Sequence, residues 1–180
     1  LLARGIYAFS DGYNFNMTKK TSAIFFAIGA LFTLILGTVG HFFYEWSGEN
    51  KIAGIFFPVN ESVWEHMKLT LLPTGIYLGA AAIKLRGGNY ALSSFLALFI
   101  GAALIPLLFY SYTGIIGRSI LAVDIAIFFF SVLAGFAVAF LAYNSAHRPI
   151  LNELAVIGII AIAVCFFTFT AFPPDFILFE

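Results

Sequence analysis

Charge is what this chain most lacks. Only 10% of its 180 residues are Asp, Glu, Lys or Arg, against about 25% in a soluble domain. That is too little polar material to cover a water-facing surface. Net formal charge is zero, so no overall field draws the protein to nucleic acid. Basic residues interleaved with aromatics, the pattern of a strand-binding groove, are missing as well. There is one cysteine, Cys165, inside an apolar run. Alone it excludes an intrachain disulfide, a C-x-x-C site and a multi-cysteine zinc site, and it reads as a small apolar residue. Gly87-Gly88 lacks the Lys-Ser/Thr of a phosphate loop, and neither G-x-S-x-G nor H-E-x-x-H occurs. No recognised spacing names a catalytic reaction, so whether the chain is an enzyme stays open at this level.

What is present is apolar. Hydrophobic residues make up 62%, aromatics 18%, and Phe alone accounts for 23 positions. Mean hydropathy is +1.00. Five stretches approach or exceed the roughly 20 residues that cross a bilayer: 21–44, 64–85, 90–110, 119–143 and 151–172. Backbone groups in hydrocarbon must be satisfied within their own segment, so these predict helices. Strict apolar/polar alternation is absent, which argues against a barrel. The expected fold class is therefore all-α, an integral membrane bundle of about five transmembrane helices. Breaks fall at 86–89, 113–118 and 144–149, and Pro173-Pro174 stops the last helix. Pro73 and Pro106 lie inside spans, each removing a backbone donor. No internal repeat supports an inverted-repeat transporter.

Met17-Thr18-Lys19-Lys20 leads directly into the first span and resembles a natural start. Residues 1–16 read as an upstream extension or an expression remnant, and residues 17–180 as one transmembrane domain. With the amino terminus inside, Arg4, Lys19, Lys20, Lys84, Arg86 and Arg148 lie inside, and Lys51, Lys68 and Arg118 outside. The positive-inside rule favours that orientation, with the carboxyl terminus outside. The setting this implies is a membrane that the chain crosses several times. The bilayer is then the main partner, nucleic acid is not one, and a second copy or a partner subunit is compatible.

This orientation gathers most carboxylates on the outer side: Glu45, Glu49, Glu61, Glu65, Asp124, Asp175 and Glu180, with His41 and His66 beside them. His41 and Glu45 stand one helical turn apart. Intramembrane ionisable groups face the bundle interior and a partner, although an interfacial His beside a Glu in a Tyr44/Trp46 belt is the plainer account. Glu61 and Glu65 are also one turn apart, with Lys68 continuing that face. Such carboxylates could hold a divalent cation or share a proton. A structural account competes here too. Ser62-x-x-Glu65 reads as a capping box, and Asn60 serves equally as an N-cap, with Val59 and Trp64 as its staple. Asp124, about 9 Å past Arg118 at helical rise, is expected to face the interior near His41 or Glu61, or to pair with Lys68 or Arg118. The candidate substrate- or ion-binding set is therefore His41, Glu45, Asn60, Glu61, Trp64, Glu65, His66 and Asp124. Within it, His41, Glu61, Glu65 and His66 are the candidate ligands of a divalent metal ion, the one cofactor this set suggests.

The segment Pro58-Val59-Asn60-Glu61-Ser62-Val63-Trp64-Glu65-His66-Met67-Lys68-Leu69 carries a resemblance. Together with Gly40-His41-Phe42 and the Phe167-to-Pro174 stretch, it resembles a family of small bacterial multi-span membrane proteins known as a domain of unknown function. The resemblance spans about residue 17 to the end. It implies a bacterial membrane protein with no assigned activity, carries over no catalytic residue, and implies a chain continuing a little past Glu180. Three functions follow as expectations. The first is small-solute or cation transport or binding through the outer carboxylate/His cluster. The second is a membrane-embedded metal-dependent hydrolase with an outward-facing site. The third is a non-catalytic scaffold subunit in which the cluster only packs helices.

Overall fold

The computed structural model describes residues 17–85 and 87–179. The readings of residues 1–16, Arg86 and Glu180 fall outside the described residues. The described residues form six helices: α1 (Lys19–Trp46), α2 (Lys51–Phe56), α3 (Val63–Ala81), α4 (Tyr90–Ile116), α5 (Leu121–Tyr143) and α6 (Pro149–Ala171). A short 3-10 turn, Ile177–Phe179, follows. Apart from loops and turns the described residues are helical, as their hydropathy leads one to expect.

Hydrogen bonds between distant residues fix the direction of each helix. At one end, called the near end, Met17 N donates to Tyr143 Oη at 3.0 Å, and Tyr90 Oη donates to Leu78 O at 2.6 Å. Asn89 there joins residues 142–148. At the far end, Tyr110 Oη donates to Ile177 O at 2.7 Å. The chain therefore runs between the two ends five times, through α1, α3, α4, α5 and α6. Helices α1, α3, α4 and α5 close a ring, each against the next, and α6 lies outside it against α4.

Four of the five, α1, α4, α5 and α6, are long and apolar enough to cross a membrane. The fifth traverse, α3, differs from the expected 64–85 span. It has 19 residues and ends at Ala81, still about 28 Å at helical rise. It is less apolar because Glu65, His66 and Lys68 stand near its start and Thr70 and Thr74 follow. Its polar groups are tolerated because the ring covers them: Glu65, Lys68, Thr70 and Thr74 are all buried. By contrast α6 turns Ile157, Ile160, Val164 and Phe167 outward, the surface that a bilayer would cover. Cys165 is exposed on the same helix. The short α2, capped by the Asn50 side chain on Ile52 N, has no counterpart in the hydropathy pattern, because six residues are too few to show a period.

Glycine sets two helix distances. A Cβ at Gly37 of α1 would lie 2.6 Å from Leu69 O of α3, and one at Gly135 of α5 would lie 2.8 Å from Ala97 O and 3.1 Å from Gly101 N of α4. Backbones can approach this closely only without side chains between them, the small-residue packing usual in membrane bundles. The Gly37 approach matters most for function. His41 stands one turn beyond it on α1, so it draws His41 toward the start of α3. Gly135→Val places branched carbon against the α4 backbone, and should lower stability in detergent by about 1–3 kcal/mol. Thermal unfolding checks this, and an unchanged midpoint would mean that α4 and α5 sit farther apart.

Candidate functional site

The site is assembled at the far end by the start of α3 and the end of α1. Residues 57–62 do not continue a helix, because Pro58 interrupts and Ser62 caps α3, its Oγ accepting from Glu65 N at 3.4 Å. The capping box forms by half. Ser62 N donates to Asn60 Oδ1 at 3.0 Å, not to Glu65. Asn60 therefore closes a turn before the cap and is not itself the cap. Glu61 precedes the helix, so it does not share a face with Glu65, contrary to what one-turn spacing suggests. The two carboxylates point to different partners.

Glu61 joins the two histidines. Its Oε1 lies 3.9 Å from His41 Nε2, and its Oε2 lies 3.4 Å from His66 Nε2. The imidazole centroids are 5.5 Å apart. One ligating atom from each of His41, Glu61 and His66 falls within 4.8 Å of the other two. His66 Nδ1 lies 2.9 Å from Ser62 O. A carbonyl can only accept, so Nδ1 carries the proton in that bond. The other ring nitrogen, Nε2, then faces Glu61 across 3.4 Å. A lone pair there, opposite an anionic oxygen, is repulsive unless a proton or a metal ion stands between them. The backbone carbonyl orients the ring as such partners orient metal-bound histidines. His41 Nδ1 is buried without a hydrogen-bond partner. The Glu61 side chain is 81% exposed, which leaves the cluster open to solvent.

Glu65 is committed elsewhere. Its Oε1 pairs with Lys68 Nζ at 2.8 Å, and its Oε2 accepts from Val59 N at 2.9 Å. Lys68 also donates to Gly54 O at 3.2 Å and is wholly buried. This pair ties α2 and the 57–62 loop to α3 and supports Glu61 from behind. Lysine 68 was expected to extend an outward carboxylate face, and instead it is the internal partner of Glu65.

The other candidates lie apart from the cluster. Glu45 is exposed, and the carboxylate that stands within 3.9 Å of the His41 ring is that of Glu61. Asp124 accepts a hydrogen bond from the Tyr112 hydroxyl, which itself accepts from Ile120 N at 3.0 Å. The depth inferred for Asp124 assumed a helix from residue 119. Gly117 ends α4 in the left-handed region, with φ +81, and α5 begins only at Leu121. Asp124 therefore stands in a first turn at the bundle end. Trp64 is buried, with Phe169 edge-on at 5.5 Å and Phe179 at 5.2 Å. It is covered by the end of the chain, whereas Trp46 is exposed and stacks on Phe42.

Sequence reasoning missed Asn89, the most connected side chain at the near end. Its Nδ2 lies 3.0–3.1 Å from Ala142 O, Ser145 O, Ser145 Oγ and Ala146 O. Its Oδ1 accepts from Arg148 N at 2.9 Å and Asn152 Nδ2 at 3.0 Å. Position before a long apolar helix suggests a cap, but the side chain leaves its own helix and holds the α5–α6 loop. The polar residues Asn144, Ser145 and Asn152, flanking the break between two apolar runs, were the available signal.

No curated protein and no solved structure matches the chain. Its all-helical architecture with four long apolar helices is that of a membrane protein. Residues 13–180 match the sequence model described as Family of unknown function (DUF6512), and the chain belongs to that family.

Proposed function

We propose that this protein binds a divalent transition-metal cation at the far end of its bundle, through His41, Glu61 and His66, as the recognition step of cation transport. The observation that carries this reading is the His66 ring. Its Nδ1 is held by Ser62 O, and its Nε2 is turned onto Glu61 Oε2 at 3.4 Å. Two imidazoles and a carboxylate suit zinc-like ions. Ligands about 2.0–2.1 Å from a tetrahedral ion stand about 3.4 Å from one another. His66 Nε2 and Glu61 Oε2 already meet that spacing at 3.4 Å. The three ligating atoms, one from each residue, lie within 4.8 Å of one another, so the set would tighten around an ion.

Support for transport lies below the cluster. His41, Gly37 and Thr33 descend α1 at one-turn spacing, and His66, Thr70 and Thr74 descend the facing α3. Thr33 and Thr74 Oγ1 atoms meet at 3.2 Å in the buried interior. Hydroxyls at membrane depth are where a cation would be handed on. In the orientation proposed, the amino terminus is inside a bacterial cytoplasmic membrane and the cluster faces out. Lys19, Lys20, Lys84 and Arg148 in near-end positions support it. A hydrolase reading draws on the same donor set, since three protein ligands leave a fourth position for water. It is weaker, because Glu65 and Asp124 are both engaged by other partners and neither is free as a base.

Metal analysis of the purified protein tests the proposal. Wild type should retain zinc or a similar ion through size exclusion. Glu61→Ala, His41→Ala and His66→Ala should each lower affinity at least about tenfold. Retention should also weaken on acidification, because protons compete with the ion for both imidazoles. Equal and negligible metal in wild type and all three variants would end the proposal. Loss of folding without any selective loss of metal would place the cluster in a scaffold.

A further inference from the structure

Behind the histidine cluster, on the Glu65 side of α3, the far end holds a second concavity. It is an open cleft of about 490 Å³ between α2, the start of α3 and the end of α6. Ile55, Phe167 and Tyr44 form apolar parts of its wall, and Lys51, Lys68 and Thr170 its polar part. We propose that this cleft binds a single anionic amphiphile, with the acidic head at Lys51 and Thr170 and the tail along Phe167 and Ile55.

The charges favour an anion. The Lys68–Glu65 pair in the wall is neutral as a unit, its charges 2.8 Å apart, so Lys51 is the unpaired charge that the cleft carries. Lys51 is exposed and has no ion-pair partner among the described residues. Lys68 lies beneath the floor with no accessible surface, its charge met by Glu65. Thr170 Oγ1 is buried and has no hydrogen-bond partner. A buried hydroxyl without a partner is costly, and turning the Thr170 side chain toward a phosphate or carboxylate oxygen in the cleft would satisfy it. The walls favour a tail. Phe167 and Ile55 are 52% and 40% exposed, and they flank the head position at the boundary where α6 leaves the bilayer. A small free anion would leave this apolar surface uncovered. A zwitterionic head would bring an amine to a cleft whose carboxylate, Glu65, is already engaged.

The test uses full-length protein stripped of lipid in a neutral detergent and titrated with phosphatidylglycerol, phosphatidylcholine or inorganic phosphate, with bound lipid read by native mass spectrometry. Phosphatidylglycerol should bind about tenfold more tightly than phosphatidylcholine, and Lys51→Ala should reduce its binding about fivefold. Thr170→Val should reduce it as well, whereas Glu61→Ala, on the other side of α3, should leave it unchanged. That last variant separates this cleft from the metal site, so either proposal can fail alone. Equal binding of the two lipids, or an unaltered Lys51→Ala titration, would overturn the inference. Displacement of phosphatidylglycerol by inorganic phosphate at equal concentration would also overturn it, by showing that the head alone is recognised.

Discussion

Glu65→Ala should destabilise the protein by about 3–5 kcal/mol, measured by denaturant unfolding in detergent. The size follows from what the substitution leaves behind. Lys68 is wholly buried, and its charge is met by Glu65 at 2.8 Å and by Gly54 O at 3.2 Å. Removing the carboxylate strands an ammonium in the bundle and also frees Val59 N. Removing both charges is a different experiment. Glu65→Leu combined with Lys68→Met fills similar volume without an orphaned ion, and should recover most of the loss. A single-variant cost below about 1 kcal/mol would mean that water reaches Lys68. The double variant should keep the His66–Ser62 bond, since Ser62 still caps α3. It therefore separates support of the 57–62 loop from the metal ligands themselves.

Asn89→Leu should cost about 3 kcal/mol or more, at the opposite end of the bundle. The side chain is buried and joins three segments: the start of α4, the α5–α6 loop and the first turn of α6. Its two amide hydrogens are shared among four oxygens, and its oxygen takes two donors. A leucine would orphan at least two buried groups at about 1–3 kcal/mol each. Asn89→Asp keeps the acceptor for Arg148 N but turns a second oxygen toward Ala142 O and Ala146 O, so it should be at least as damaging. Asn152→Ala removes one partner only and should cost less. Hydrogen exchange localises the effect: amides around 144–148 should lose protection first. Uniform loss across all helices, with no early change there, would show that Asn89 does not hold this loop.

Much of the candidate site was visible as residue types and hidden as geometry. His41, Glu61 and His66 stood out because ionisable groups are rare in so apolar a chain. Nothing in their spacing said that Glu61 would bind the histidines while Glu65 turned the other way. That division depends on where α3 begins. Ser62 caps the helix and leaves Glu61 in the preceding turn, so a four-residue spacing that would align two carboxylates on a helix separates them instead. Asp124 shows the same sensitivity. Gly117 and three further non-helical residues place it in a first turn beside Tyr112, and the depth read from a continuous helix disappears.

By itself, then, the sequence determined the environment and the class: lipid requires long apolar helices with internally satisfied backbones, and their composition admits no other course. It also marked where polar chemistry is concentrated, because charge in hydrocarbon is costly wherever it stands. Tertiary structure alone decided the partners. The α1–α3 approach at Gly37 brings His41 to His66, the burial of Lys68 claims Glu65, and Asn89 reaches across to a loop more than fifty residues away. These contacts join segments distant in the chain, and hydropathy, which averages over neighbours, does not encode which of them will meet.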